Sequence, residues 1–157
     1  MNTKIEAILA QMSQLPNFFH GIPSSEDQIR KLESTLGIEV PDDFRRFLQA
    51  YGCAQWDGRM LCGIGSLVGK STPGLTTDCG RLTEYERSPN PGYPRGALRY
   101  DGLAISTDGA GGIFVLWCNG DKKSSRVSWL DPVCEVSQWE SLAEFLVYFA
   151  DFEPKVV

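Results

Sequence analysis

The sequence has a single histidine, His20, and none of its five cysteines forms a C-x-x-C pair. A four-ligand zinc site would have to be assembled from scattered cysteines, and a Cys–His nucleophile pair could use only His20. Phe18 and Phe19 precede that histidine, so it reads as an ordinary, partly packed side chain. Long apolar runs are also missing. No stretch approaches the roughly 20 apolar residues that a spanning helix needs. The opening MNTKIEAILAQMSQLP is interrupted by Glu6, Gln11 and Gln14 and does not read as an export signal. A cytoplasmic protein without a membrane segment is expected. The cysteines (Cys53, Cys62, Cys79, Cys118 and Cys134) are odd in number and not closely paired, so free buried thiols in a reducing compartment are expected.

Basic excess is absent as well. The net charge is −5, and residues 131–157 carry six acidic groups against one basic. That segment alone accounts for the imbalance. Nucleic-acid affinity rests on neutralising phosphates, so an acidic chain is a poor candidate for it and a better one for meeting a basic protein.

One stretch imitates a phosphate-binding loop. Gly63-Ile64-Gly65-Ser66-Leu67-Val68-Gly69-Lys70-Ser71-Thr72 has the Gly-Lys-Ser ending of G-x-x-x-x-G-K-[ST]. Counting back from Gly69, the first glycine belongs at position 64, which is Ile64. The backbone cradle depends on that spacing, and the motif fails. Paired carboxylates occur at Asp42/Asp43, Glu84/Glu86 and Glu140/Glu144, each reading as helix-terminal or solvated charge. No catalytic constellation, metal site or cofactor is expected.

What is present is a strongly patterned first third. Ile5, Ile8, Leu9, Met12 and Leu15 mark an amphipathic helix ended by Pro16. Ser25 and Gln28 form a capping-box start, Ile29, Leu32 and Leu36 line one face, and Gly37 supplies the left-handed stop. Pro41 opens a further helix with Asp42 and Asp43 in its first turn. Phe44, Phe47, Leu48 and Tyr51 follow at helical spacing, and Gly52 closes it.

Beyond Gly52 the pattern changes. Trp56-Asp57-Gly58-Arg59 reads as a turn, Met60-Leu61-Cys62 as a short strand, and about Thr77 to Tyr85 as a weaker helix. Residues 87–102 hold three prolines and three glycines and read as a long loop. Leu103 to Ser106 and Ile113 to Trp117 flank the glycine-rich turn Asp108–Gly112 as a hairpin, and Arg126 to Leu130 makes a third strand after the Asn119-Gly120-Asp121 turn. Ser141 and Glu144 repeat the capping box before Leu142, Phe145, Leu146 and Phe149. The expected architecture is a single α+β domain over 1–157, with a mainly antiparallel β-sheet packed with N-terminal helices and a C-terminal helix. Its parts are a helical segment (1–52), a sheet segment with a loop insert (53–131, insert 87–102), and a C-terminal helix with an acidic tail (132–157).

The string Glu33, Leu36-Gly37-Ile38, Val40-Pro41, Asp43-Phe44-Arg45, Phe47-Leu48 and Tyr51-Gly52 resembles the opening of the SUKH superfamily. Cys53 stands where that pattern often continues with Gly or Asn-Gly. Two later blocks agree in order: Asp108 to Leu116 resembles the family's D-G-x-G turn and following strand, and Ser141-Leu142-Ala143-Glu144-Phe145-Leu146 its closing S-L-x-E-F-L helix. The superfamily includes bacterial immunity proteins and yeast cell-wall-synthesis regulators. The resemblance implies a non-catalytic domain that binds and neutralises a cognate toxin, often a nuclease. A nuclease site is basic because it holds phosphates, which suits an acidic binder. The alternatives are a regulatory or scaffolding adaptor of the cell-wall type and a small-ligand-binding domain or enzyme. Adaptor members carry long disordered extensions, so a compact chain is expected to fall with the immunity proteins.

Candidate contact residues come from exposed-looking aromatic and charged groups on irregular segments. Trp56 and Asp57 follow the third helix, and Tyr93, Arg95, Arg99 and Tyr100 sit on the proline-rich loop. Trp56 also has a second reading as a side chain capping the edge of the core. Glu140 and Glu144 represent the acidic C-terminal surface.

Overall fold

The computed structural model describes residues 3–65, 78–88, 98, 100–132 and 134–151. The chain begins with the helix α1 (Thr3–Met12) and the two-residue strand β1 (Phe19–His20), followed by the helices α2 (Glu26–Leu36) and α3 (Asp42–Tyr51). Strands β2 (Ala54–Trp56) and β3 (Arg59–Leu61) lead to α4 (Cys79–Arg87). Four strands come next: β4 (Gly102–Thr107), β5 (Ile113–Trp117), β6 (Val127–Leu130) and β7 (Glu135–Trp139). Helix α5 (Leu142–Phe149) closes the described chain. The fold is α+β, with two antiparallel sheets ordered β1-β2-β3 and β4-β5-β6-β7.

Local chemistry explains the helical part. Ser25 Oγ accepts from Gln28 N, and Gln28 Oε1 returns the favour to Ser25 N, so two orphan donors of α2 are satisfied together. At the other end Gly37 adopts the left-handed conformation and its N–H reaches Glu33 O. The connector to α3 is held by the Glu33 carboxylate, which accepts from Val40 N at 2.9 Å and from Arg45 at 3.2 Å. Arg45 also reaches Glu26, so one guanidinium ties the start of α2 to its end. Pro41 is the N-cap of α3, one position earlier than the first helical residue expected for it. Phe44, Phe47 and Leu48 are fully buried, and Tyr51 donates its hydroxyl to Leu9 O of α1.

The two sheets are joined at β4. Cys62 N donates to Ile105 O at 2.7 Å, and Ser106 Oγ donates to Met60 O. Helix α4 lies against the same strand, where Ala104 N donates to the buried Thr83 Oγ1 at 2.9 Å. One edge of the larger sheet is thereby covered. On one sheet face Phe114 packs against Phe145 and Phe149 of α5 at centroid distances of 5.1 and 5.3 Å. Burying one such ring contributes roughly 2 kcal/mol from apolar area alone.

Several details differ from the sequence expectation. Helix α4 starts at Cys79, after the N-cap Asp78, and runs to Arg87. The turn at Trp56–Arg59 is a tight hairpin: Asp57 and Gly58 both have positive φ, as a two-residue hairpin loop requires. Trp56 and Arg59 belong to its strands. Strands β1, β2 and β7 were not anticipated, and β7 occupies part of the segment expected to hold only a helix and an acidic tail. Asp43 and Glu86 are buried rather than solvated. Four cysteines are buried as expected, whereas Cys134 is exposed.

Candidate functional site

The acidic C-terminal surface is built by β7 and α5. Trp139, the last residue of β7, packs on the closing helix, edge-on to Phe145 at 5.1 Å and tilted against Tyr148 at 5.0 Å. That contact fixes how the helix leaves the strand. The first turn of α5 is satisfied by three side chains. Leu142 N donates to Ser125 Oγ, Glu144 N to Ser141 Oγ, and Glu140 N to Glu144 Oε2. The Glu144 carboxylate reaches one residue past the cap, so the reciprocal half of the expected box goes to Glu140 N instead of Ser141 N. Glu144 also lies 3.8 Å from Lys4 of α1. The side chain of Glu140 has no partner among the described residues and is exposed.

Acidic residues predominate on this surface, where the cations that reach it are Lys4, beside Glu144, and Arg126, which donates to Gln138 Oε1 at 2.8 Å. Asp131, Glu135, Glu140, Glu144 and Asp151 are all acidic, and no Lys, Arg or His lies between positions 131 and 151. Tyr148, 52% exposed on the outer side of α5, supplies an aromatic group among them. Sequence reasoning passed over Tyr148 and Trp139. The available signal was positional: Phe145, Leu146 and Phe149 define the buried stripe, and Tyr148 falls off it.

Beside this surface lies a cleft of about 670 Å³ between the β2–β3 hairpin, the β4–β5 turn and the last turn of α5. Its walls include Arg59, Asp108, Trp129, Tyr148 and Asp151. Asp108 is held in place by three donors: Ala110 N and Gly112 N to Oδ1, and Trp129 Nε1 to Oδ2. A carboxylate so engaged shapes the turn rather than serving as a free base.

Among the remaining sequence candidates, Trp56 is 1% exposed and packs edge-on against Phe149 at 5.7 Å. The reading of it as a surface anchor is corrected: it is a core residue, because the hairpin turns it inward onto α5. Asp57 is exposed at the hairpin tip and accepts from Asn17 Nδ2 at 3.1 Å. Tyr100 is 82% exposed, with the Arg87 guanidinium 5.3 Å from its ring centre. Arg87 donates to the carbonyls of Leu36 and Tyr100, so this pair belongs to the α2–α4 end of the molecule. Tyr93, Arg95 and Arg99 lie outside the described residues, as does the Gly69-Lys70-Ser71 part of the failed phosphate-loop motif. The described candidates are therefore not one patch: Glu140 precedes the cap of α5 and Glu144 lies in its first turn, Trp56 is in the core, Asp57 stands on the hairpin, and Tyr100 is with α4.

The four buried thiols are held toward their protonated form. Burial, reinforced by Cys53 and Asp78, pushes Cys62 up to about 12, and burial followed by Asp101 does the same for Cys118. Burial also raises Cys53, and lifts Cys79 well above its ordinary value. Protonated, enclosed sulfurs are poor nucleophiles. Among the described residues no three His, Cys, Asp or Glu side chains gather in a way that could hold a metal ion. No helix among them is long and apolar enough to cross a membrane.

No curated protein sequence matches this chain. Its structure is similar to the crystal structure of a protein from Pseudomonas syringae pv. tomato, with a TM-score of 0.63 and 14% identity over 89% of this chain and 93% of that one. At that identity the likeness establishes the fold. The sequence model of the SMI1 / KNR4 family (SUKH-1) matches residues 23–147, a span that takes in the Glu33–Gly52 string, the Asp108 turn and the first turns of α5, and the chain belongs to that family.

Proposed function

We propose that this chain is a non-catalytic protein-binding domain, an immunity protein that neutralises a cognate toxin by occupying a basic surface on it. The observation that carries this reading is the acidic excess over β7 and α5. Five acidic residues with no Lys, Arg or His between them in sequence lie on or beside β7 and α5, together with the half-exposed Tyr148 on a helix whose cap is bonded by Ser125, Ser141 and Glu144. They outnumber the two cations that reach them, Lys4 at Glu144 and Arg126 at Gln138. Such a surface accelerates encounter with a positively charged partner and disfavours wrong ones. A nuclease active site, lined by cations to hold phosphate, has the matching sign. Tyr148 supplies the kind of amphipathic ring that anchors interfaces. The enclosed, protonated thiols suit a reducing compartment, so the proposal places the protein in the cytoplasm.

The test is co-expression with candidate toxin-domain proteins from its own genome. Growth rescue together with a stoichiometric complex supports the reading. A toxin that kills equally well with and without the chain, and is not retained by it, defeats it.

A further inference from the structure

The register of the β2–β3 hairpin carries on past its last paired residues. Trp56 faces Arg59, Gln55 faces Met60 and Ala54 faces Leu61, so the next rung sets Cys53 opposite Cys62. The two segments stay together beyond that rung. Ile64 N donates to Gly52 O at 2.9 Å, and Gly63 passes so close to the same oxygen that a Cβ there would clash with it. At the cysteine rung the backbone groups point outward: Cys53 O accepts from Gly21 N beside β1, and Cys62 N donates to Ile105 O of β4. Outward-pointing amides and carbonyls mark a non-hydrogen-bonded rung, where opposed Cα atoms approach to about 4.5 Å with their side chains on one face. A disulfide spans Cα distances of about 4.4–6.8 Å, so this rung falls at the short end of that range. After burial, Cys53 is the next cause of the raised Cys62 thiol, which agrees with their proximity. Cys79 is placed differently: the parallel bridge between Gly63 and Asp78 sets it beside Ile64, one rung on from Cys62.

We infer that Cys53 and Cys62 are a dithiol pair that peroxide converts to a cross-strand disulfide, a reversible lock on the β2–β3 hairpin. Cys53 is the sulfur reached first. Gln55 and Met60, the next rung on the same face, are half-buried, and the neighbouring strand β1 is two exposed residues at the edge of its sheet. So small an edge element opens locally without unfolding the core. Both thiols are enclosed and poor nucleophiles at rest, so opening gates the reaction and the pair answers sustained rather than brief exposure. The Cys53 thiolate attacks one peroxide oxygen. The S–O bond forms, the O–O bond breaks, and the departing hydroxide takes the proton released by Cys53 and leaves as water. The Cys62 sulfur then attacks the Cys53 sulfur: the S–S bond forms, the S–O bond breaks, and the second hydroxide leaves with the Cys62 proton as water. Two thiols are oxidised and one peroxide is reduced, with no other reagent. A bond at the short end of the allowed range is the more readily reduced, so small thiols restore the pair. While it stands, the bond clamps the hairpin that carries Arg59 on the cleft wall and holds Trp56 against Phe149.

The experiment exposes the full chain to hydrogen peroxide at neutral pH, with Cys134→Ser introduced to remove the exposed thiol. The intact mass should fall by two hydrogens. Trypsin cuts at Arg59, between the two cysteines, so a non-reduced digest should show the Cys53 and Cys62 peptides joined. The urea midpoint should rise by roughly 1 M, and dithiothreitol should reverse all three changes. Cys53→Ser and Cys62→Ser should each abolish the mass change and the midpoint rise. The peptide linkage is read on a chain that keeps both cysteines, so it stands whether or not those two variants fold. Four results overturn the inference: no mass change under peroxide that fully oxidises Cys134 in the parent chain, a bond from Cys62 to Cys79 or Cys118, oxidation that ends at sulfinic acid on either sulfur, or a disulfide that lowers the midpoint. None of these readouts involves a partner, so they are independent of the immunity reading.

Discussion

Asp43 and Ser125, 82 positions apart in sequence, meet in the interior: Ser125 Oγ donates to Asp43 Oδ2 at 2.9 Å and accepts from Leu142 N at 3.0 Å. One hydroxyl thus links the first turn of α3 to the first turn of α5. Asp42 N, next to Asp43, donates to Lys122 O of the same β5–β6 connection. The aspartate of the family string is therefore a long-range fastener as well as a charge at a helix start. Removing the Ser125 hydroxyl leaves a buried carboxylate oxygen and a helix N–H without this partner. Ser125→Ala is expected to cost about 1–3 kcal/mol, read from the urea midpoint at unchanged m-value. Asp43→Ala should cost a similar amount, and the double variant distinctly less than the sum. Additive losses would show that the two groups act independently.

The two glycines that end α2 and α3 are not equivalent. Gly37 has φ +68 and open space around a notional Cβ, whereas at Gly52, with φ +74, that Cβ would sit 2.1 Å from Ile22 O. Gly37→Ala carries only the left-handed conformational penalty, about 1–2 kcal/mol. Gly52→Ala carries a similar penalty and must also displace the backbone before α2. Gly52→Ala should therefore lower the thermal midpoint clearly more than Gly37→Ala. Equal shifts would mean that the chain at Ile22 moves freely, contrary to this packing.

The buried thiols give the fold a stability limit at high pH. An unfolded cysteine ionises near its ordinary value, while Cys62 and Cys118 are held up to about 12 in the folded chain. The folded state then binds more protons than the unfolded state between those values, so stability falls as pH rises. The contribution is fully present below the ordinary thiol value and is lost as pH climbs through the folded one. Each thiol contributes a slope of up to about 1.4 kcal/mol per pH unit in that window. Urea titrations at about pH 8 and about pH 10 should differ accordingly, and Cys118→Ala should flatten the slope. Iodoacetamide on the native protein at about pH 8 should label Cys134 alone. Modification of Cys62 or Cys118 without unfolding would contradict the burial.

Which parts of this arrangement were legible beforehand follows from how local the signals are. The capping box at Ser25–Gln28, the stop at Gly37 and the stripe Phe44-Phe47-Leu48 depend on residues within one or two turns, and each took its expected place. The hairpin around Asp108–Gly112 and the stripe of α5 were equally local. Strand β7 was not readable, because Glu-Val-Ser-Gln-Trp mixes both faces of an edge that is half exposed, and its apolar period is too short to register. Trp56 misled because a residue beside an Asp-Gly turn looks like loop, while a two-residue hairpin keeps it in the ladder and turns its ring onto Phe149. Asp43 was seen as a helix-start charge, and its partner Ser125 lay too far along the chain to be inferred.

Glu140 and Glu144 look alike in sequence, and the structure separates them. Glu144 accepts Glu140 N and lies near Lys4, whereas the Glu140 side chain has no partner among the described residues. Reversing Glu144 removes a cap contact and places a cation at a helix N-terminus, where the dipole disfavours it. Glu144→Lys is therefore expected to destabilise by about 1 kcal/mol. Glu140→Lys also sits near that terminus but breaks no contact, so its stability should stay within about 0.5 kcal/mol of the parent. Binding should show a different pattern. Glu140→Lys should weaken capture of a basic partner and make that capture less sensitive to added salt, in contrast to its small effect on folding. The measurement pairs urea unfolding with surface-binding kinetics on the toxin proposed as partner, at low and physiological ionic strength. An unchanged association rate for Glu140→Lys would remove the β7–α5 surface as the face that meets the partner. A stability loss in Glu140→Lys as large as that in Glu144→Lys would show that its carboxylate is not the free group the structure draws.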